Sequence, residues 1–112
     1  MNISERAENG ITILVVEGRV DSEGANQLDE AIRVATSGKK YKLIMDMANV
    51  RYINSVGLRI LADALTQNKQ HGGDLKLTSL TPKVRRVLEI IGFDRFFSIH
   101  DSIDEAVQAF AA

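Results

Sequence analysis

The alternation of short apolar strands with amphipathic helical segments is the feature that most constrains the fold of this chain. An opening pair of strands and one helix are followed by three strand–helix units. Strands separated by helices pair in parallel through right-handed crossovers, so this order predicts an α/β fold with a mostly parallel mixed sheet of about five strands and about four helices. The pattern does not predict how the helices divide between the two faces of the sheet.

The first two strands are predicted to form an antiparallel hairpin at one edge of the sheet. They span residues 3–8 and 11–17 and flank Asn9-Gly10, a dipeptide that tolerates the positive φ angles of a type I′ turn. The segment after the hairpin has apolar residues at helical spacing and ends near Gly38. We expect this glycine at the left-handed C′ position of the first helix.

An inner strand and a second helix come next. Residues 41–47 carry apolar side chains on both strand faces, as is typical of a strand covered by helices. The helix is predicted to begin near Ser55, and Ser55, Arg59 and Asp63 follow one another along its outer face. Its inward stripe consists of Leu58, Leu61, Ala62 and Leu65. The pattern therefore predicts that Ser55 faces solvent at a helix N-terminus, where free backbone N–H groups and the helix dipole favour an anionic group.

Two further units complete the predicted order of elements. A strand over 74–78 precedes a third helix, for which Thr81 is the predicted N-cap and Gly92 the stop. The inward face of this helix is predicted to consist of Val84, Val87, Leu88 and Ile91. A strand over 97–100 and a docked helix that begins at Ser102 follow.

The composition fits one globular domain over residues 1–112. With 112 residues and 45% hydrophobic content, the chain can bury a core without a metal or a disulfide. The net charge of −1, with no Lys/Arg cluster among aromatics, argues against nucleic acid as a partner. The absence of cysteine excludes disulfides and thiolate sites. There is no long apolar run and no secretion-signal pattern in the first residues, so we expect a cytoplasmic protein that does not insert into a membrane.

A serine at a strand-to-helix turn raises the possibility of a small serine hydrolase. The nucleophile elbow of such enzymes needs a glycine two residues before the serine, and Ile53 stands there. The candidate bases are His71 and His100, each near a strand end and outside any catalytic motif. From the pattern alone, an ordinary capping role at the helix start is the simplest interpretation of Ser55.

The remaining polar motifs have structural explanations. Gly38-Lys39-Lys40 lacks the glycine spacing and the following Ser/Thr of a phosphate-binding P-loop, and Gly72-Gly73 is typical of a turn. Asp101, Asp104 and Glu105 lie at a helix start, where acidic residues normally serve as caps and interact with the dipole. We therefore expect no metal site, and neither glycine motif indicates a phosphate-binding loop.

A family resemblance adds to this interpretation of Ser55. The segment 46–58, which ends in Ile53-Asn54-Ser55-Val56-Gly57-Leu58, resembles the signature of the STAS-domain proteins, the anti-sigma-factor antagonists. Gly18-Arg19-Val20-Asp21, Gly72-Gly73-Asp74-Leu75 and the segment 91–97 resemble that family in the matching order. The resemblance covers essentially the whole chain and implies a STAS-like fold.

The function that the resemblance implies is protein binding controlled by phosphorylation, without enzymatic activity or a cofactor of its own. In the family, the dephosphorylated antagonist binds a kinase-type anti-sigma factor and so releases a sigma factor. Phosphorylation of the motif serine by that kinase ends the binding, and a serine phosphatase resets the switch. Ser55 occupies the position of that serine, and Asn54 stands where the family usually has aspartate.

The partner-binding patch is expected to combine the Ser55 turn with the loop after the hairpin, because both follow the carboxyl ends of strands. The predicted patch consists of Asp21, Ser22, Arg51, Asn54, Ser55, Val56, Gly57 and Arg59. We expect a monomer or a weak homodimer. Two alternatives stay open: a non-phosphorylated STAS subunit of a transport or signalling assembly, which Asn54 suggests, and the small serine hydrolase.

Overall fold

Five β-strands form one mixed sheet in the computed structural model, which describes residues 1–111. The strands are β1 (Asn2–Glu8), β2 (Ile11–Val20), β3 (Lys42–Ile53), β4 (Asp74–Thr78) and β5 (Ser98–His100). They are arranged across the sheet in chain order, with β1 antiparallel to β2 and all other neighbours parallel. Asn9 and Gly10 turn the hairpin with φ angles of 53° and 76°. The predicted fold class and edge hairpin are confirmed.

The four α-helices of the described segment cover the two faces of the sheet unequally. They are α1 (Ser22–Ser37), α2 (Ser55–Gln70), α3 (Pro82–Ile91) and α4 (Ile103–Ala111), with a short 3-10 turn at Phe93–Arg95. Side chains of α1, α2 and α3 share one large apolar core with one face of the sheet. The other face is covered by α4 through a small cluster that contains Ile13, Ile44, Ala106 and Val107.

The face under α4 also holds a nearly buried lysine. Lys76 of β4 is 8% exposed, and its ammonium nitrogen lies 3.1 Å from Asp74 Oδ2 and 4.7 Å from the centre of the Phe110 ring. A buried charge needs such partners because its removal from water is costly. The ion pair and the aromatic ring therefore let a charged side chain lie beneath the last helix.

The third strand is longer than predicted. The sequence indicates a strand over 41–47, whereas β3 continues to Ile53. Two β-bulges, one between Asp46 and Asn49 and one between Val50 and Tyr52, each add a residue to β3 relative to β2. The bulges break the two-residue alternation on which strand prediction depends, so the second half of the strand was missed. They also carry β3 past the end of β4, towards the start of α2.

Two local predictions about helix ends are wrong. Gly38 has an ordinary φ of −85°, and the left-handed residue is Lys39 with a φ of 59°, because α1 extends one residue further than the glycine suggested. Ile91 is 47% exposed and does not belong to the core. It ends α3, and the buried ring of Phe97 from the following segment belongs to the core cluster instead.

Gly73 permits the close approach of β3 and β4 at their first residues, which gives a test of this junction. A Cβ at Gly73 would clash with the Tyr41 carbonyl oxygen, whereas a Cβ at Gly72 would meet nothing within 4 Å. We expect Gly73→Ala to lower the free energy of unfolding by about 3 kcal/mol, because the backbone must move.

The matched control is Gly72→Ala, which places a side chain at a φ of +78° in open space. We expect it to cost about 1 kcal/mol, the usual penalty of the left-handed conformation. Urea denaturation of both variants measures the difference. Equal losses would contradict the close packing at this junction.

Candidate functional site

The helices α1 and α2 begin side by side at the carboxyl edge of the parallel strands. Val20, the last residue of β2, pairs with Ile53, the last residue of β3. The Asn54 N–H donates a 2.9 Å hydrogen bond to the Val20 carbonyl oxygen, which continues the ladder by one step. The residues that follow the two strands are therefore neighbours in space, as the sequence predicted for the two loops.

The two helix starts have the same N-cap geometry. Asp21 Oδ1 accepts from the Gly24 N–H at 2.9 Å, and Asn54 Oδ1 accepts from the Gly57 N–H at 2.8 Å. The φ and ψ angles are −87° and −164° at Asp21, and −88° and 175° at Asn54. Each cap is followed by a serine at the first helical position and by a glycine at the third. This repetition of Asp/Asn-Ser-x-Gly was visible in the sequence as a repeated tetrapeptide, and sequence reasoning missed it.

Ser55 lies on the surface at the first position of α2. Its side chain is exposed, and the adjacent Val56 is 53% exposed. Among the hydrogen bonds within residues 1–111, none involves Ser55 Oγ, because the capping function is carried out by Asn54. The prediction that Ser55 faces solvent is confirmed, and the ordinary N-cap role belongs to the preceding residue.

Gly57 lies beneath this surface, unlike the other residues of the predicted patch. A Cβ at this position would come within 2.6 Å of Val20 Cγ1 and 3.0 Å of Ile53 Cγ1. The missing side chain lets α2 pack tightly on the ends of β2 and β3. Gly57 therefore supports the Ser55 turn from below and has no side chain to offer a partner.

A groove of about 500 Å³ opens next to Ser55, between α2 and the end of α3. Its apolar lining consists of Leu58, Ala62, Ile91 and Phe93. Arg59 and Asp63 of α2 are exposed at its border, one helical turn apart. The groove thus places an apolar surface next to the exposed hydroxyl. Ile91, which was predicted to lie in the core, is part of this groove.

The predicted patch residues occupy two kinds of position. Asp21, Ser22, Asn54, Ser55 and Val56 lie together at the paired helix starts. Arg51 is exposed at the second bulge of β3, and Arg59 is exposed beside the groove. Neither arginine belongs to an ion pair within residues 1–111, so both guanidinium groups are available.

Neither histidine forms a hydrogen bond with Ser55 within residues 1–111. The His71 ring stacks on Tyr41 with centroids 4.2 Å apart, and its Nδ1 lies 2.9 Å from the Gln67 carbonyl oxygen. His100 Nε2 lies 2.8 Å from Ser98 Oγ, a serine–histidine contact that sequence reasoning missed. No hydrogen bond among the described residues joins His100 to a carboxylate that would orient it. These contacts argue against the hydrolase interpretation.

The acidic residues before α4 serve the helix start. Asp101 N–H donates to Glu105 Oε2 at 3.2 Å, and Glu105 N–H donates to Ser102 Oγ at 3.1 Å. Across residues 1–111, no group of three His, Cys, Asp or Glu side chains is arranged to hold a metal ion. In the same part of the chain, no helix is both long and apolar enough to cross a membrane.

Comparison with known proteins agrees with this geometry. The STAS domain family model matches residues 2–106. The chain belongs to the STAS-domain family. BtrV of Bordetella bronchiseptica is 33% identical over 102 residues, covering 91% of this chain and 88% of BtrV. The anti-sigma-F factor antagonist RsfB of Mycobacterium tuberculosis is 27% identical over 99 residues, covering 88% and 80%.

The fold of this STAS domain also matches solved structures of the family. The crystal structure of an anti-sigma factor antagonist from Mycobacterium paratuberculosis superimposes with a TM-score of 0.90 at 25% identity. The match covers 99% of this chain and 94% of that one. The five-stranded mixed sheet and the four helices are therefore those of a STAS domain.

The N-cap of α2 can be tested separately from partner binding. We expect Asn54→Ala to lower the free energy of unfolding of this STAS domain by about 1 kcal/mol, because the Gly57 N–H loses its acceptor. Asn54→Asp keeps the acceptor and adds a negative charge at a helix N-terminus, so it should raise stability by about 0.5 kcal/mol.

The matched control is the reverse change at the other cap, Asp21→Asn. It keeps the hydrogen bond to Gly24 and removes a charge, so it should lower stability by about 0.5 kcal/mol. Chemical denaturation at low ionic strength measures all three variants. A loss for Asn54→Asp as large as that for Asn54→Ala would contradict the cap geometry.

Proposed function

We propose that this protein is an anti-sigma-factor antagonist whose partner docks on the paired starts of α1 and α2 and is released when Ser55 is phosphorylated. The observation that supports this most directly is the exposed, unbonded hydroxyl of Ser55 at a helix N-terminus. The name of the relative RsfB, an anti-sigma-F factor antagonist, supports the partner class. The partner is a kinase-type anti-sigma factor, and a serine phosphatase restores the binding form.

The phosphate in this proposal acts on the interface and leaves the fold intact. A phosphoserine carries a charge of about −1.5 to −2 and would stand at the N-terminus of α2, where the helix dipole favours negative charge. The start of α1 lies alongside, so its free N–H groups add to the positive potential. Arg59, one turn along α2, lies beside the same groove as Ser55. The phosphorylated domain should therefore remain folded.

The energetic requirement for such a switch is modest. A docking surface of standard size buries about 800 Å² on each partner. Placing an unpaired dianion in that surface costs several kcal/mol through desolvation and repulsion. At about 1.4 kcal/mol per tenfold, a loss of about 3–4 kcal/mol weakens binding a few hundredfold. A loss of this size is sufficient for one phosphate to turn off partner binding.

Asn54 favours a second candidate, a STAS subunit that is never phosphorylated. In the N-cap, Asn54 uses Oδ1 to accept from Gly57, and its other terminal atom is the donor Nδ2, where an aspartate would have a second oxygen. A kinase that requires a carboxylate there would not recognise this site. Mass spectrometry of Ser55 after incubation with the cognate kinase separates the two candidates, since the second predicts no phosphate.

The switch at Ser55 is tested by charge mimicry. Ser55→Asp should weaken binding to the anti-sigma factor more than a hundredfold, because a carboxylate would enter the docking surface. Ser55→Ala should bind like the wild type and resist phosphorylation. Isothermal titration calorimetry measures the affinities, and circular dichroism should be unchanged in both variants.

A control for the added charge is Thr66→Asp, further along the exposed face of the same helix. This variant should bind the partner with nearly the wild-type affinity. Equal affinities for Ser55→Asp and the wild type would refute the interface switch. Equal losses of partner affinity for Ser55→Asp and Thr66→Asp would mean that the net charge of the protein, and not a charge at the start of α2, weakens binding.

The groove beside Ser55 is proposed to belong to the same docking surface. Ile91 is 47% exposed at its border, so covering this side chain would contribute to binding. We expect Ile91→Ala to weaken partner binding about fivefold with little change in thermal stability. The matched control is Val34→Ala, which removes part of a side chain that is 58% exposed on α1. Equal effects of the two substitutions on affinity would exclude the groove from the interface.

A further inference from the structure

The end of the sheet opposite Ser55 carries a pocket lined by basic side chains. It has a volume of about 320 Å³ and lies where β3 begins, between the loop after α1 and the Gly72-Gly73 turn after α2. Lys39, Lys40 and Lys42 line it, and none of its lining residues in the described chain is acidic. The fold thus brings together the two glycine-containing motifs that had no function on sequence grounds.

The three lysines differ in whether they are already paired. Lys40 Nζ lies 3.1 Å from Glu5 Oε2 on β1. Among the ion pairs formed within residues 1–111, none involves Lys39 or Lys42. Lys39 and Lys42 therefore each carry a positive charge without an ion-pair partner in the described part of the chain, and this charge attracts negatively charged groups.

The backbone around the pocket has little to offer a ligand. The N–H groups of Lys39 and Lys40 donate to carbonyl oxygens in the last turn of α1. Those of Gly72 and Gly73 donate to carbonyl oxygens in the last turn of α2. An anion must therefore be held by the lysine side chains and not by a nest of backbone N–H groups, so the site differs in kind from a P-loop.

Lys39 has a backbone conformation in which glycine would be more stable. Its φ of 59° is left-handed, a conformation that disfavours any residue with a Cβ, whereas the preceding Gly38 has a φ of −85° that any residue adopts. The hydrogen bonds from Lys39 to Thr36 and from Lys40 to Ala35, both 3.0 Å, hold it there. The cost of this backbone conformation to stability is consistent with a role of the Lys39 side chain in binding.

We propose that this pocket binds a small polyanion whose oxyanion groups bridge Lys39 and Lys42. The volume lies at the lower end of the range for small-molecule pockets, so the ligand is a compact molecule with several phosphate or carboxylate groups. The site lies at the opposite end of β3 from the Ser55 surface, since Lys42 begins this strand and Ile53 ends it.

A role in helix capping alone makes a different prediction about Lys39. The negative ends of α1 and α2 point towards the pocket and also attract cations. If this attraction were the whole function of Lys39, its replacement by glycine would lower the melting temperature. If the function of Lys39 is to bind a ligand, Lys39→Gly relieves the backbone strain and should leave the melting temperature unchanged or raise it by a few degrees.

The test is a titration of the ¹⁵N-labelled protein with inorganic pyrophosphate in physiological salt. We expect saturable amide shifts confined to residues 39–42 and 71–73. Lys39→Gly should weaken binding about tenfold, because one of two charge-assisted contacts is lost. A parallel titration uses citrate. Tighter binding of citrate than of pyrophosphate would indicate a polycarboxylate ligand, and the reverse order would indicate a phosphate ligand.

The matched control is Lys83→Ala, which removes the same charge from an exposed lysine in the first turn of α3. It should bind pyrophosphate like the wild type. The proposal is overturned if neither anion produces saturable shifts, or if the shifts spread over all lysines. It is also overturned if Lys39→Gly binds as tightly as the wild type or melts at a lower temperature.

Discussion

The lateral pairing of β2 with β3 at their last residues is the constraint on which the rest of the site depends. Val20 and Ile53 are paired, and the Asn54 N–H donates to the Val20 carbonyl oxygen. The two strands therefore end at the same level of the sheet. The two helices then start in parallel, with equivalent caps and equivalent serines. A surface made from two distant segments of the sequence is thus fixed by backbone hydrogen bonds, and its side chains remain free for recognition.

Much of this arrangement could be predicted because its signals are local. Asn9-Gly10 determines the hairpin, apolar periodicity indicates the helices, and the strand–helix order leaves few possible topologies. The exposure of Ser55 followed from its place opposite the apolar stripe of α2. The capping role was assigned to Ser55 from the pattern, whereas in the structure Asn54, one residue earlier, accepts from the Gly57 N–H.

The features that escaped prediction depend on contacts between segments. The bulges of β3 are visible only in its pairing with β2, and no residue pattern marks them. The position of Ile91 depends on where α3 ends relative to the sheet, and this side chain lines the groove beside Ser55. Three helices cover one face of the sheet and one helix covers the other, and this division also depends on how the sheet assembles.

The two faces of the sheet differ in how much apolar packing holds the helices on them. The last helix rests on a handful of apolar residues and one shielded ammonium group, whereas the other face is held by three helices. Local opening requires least free energy where least apolar surface is buried, so we expect α4 to be the helix that detaches most readily. Detachment of α4 would expose Ile13 and Ile44 to solvent, whereas the pairing of Val20 with Ile53 beneath Ser55 does not involve α4. The helix that holds the smaller apolar cluster thus lies on the face opposite to α1 and α2, away from the Ser55 surface.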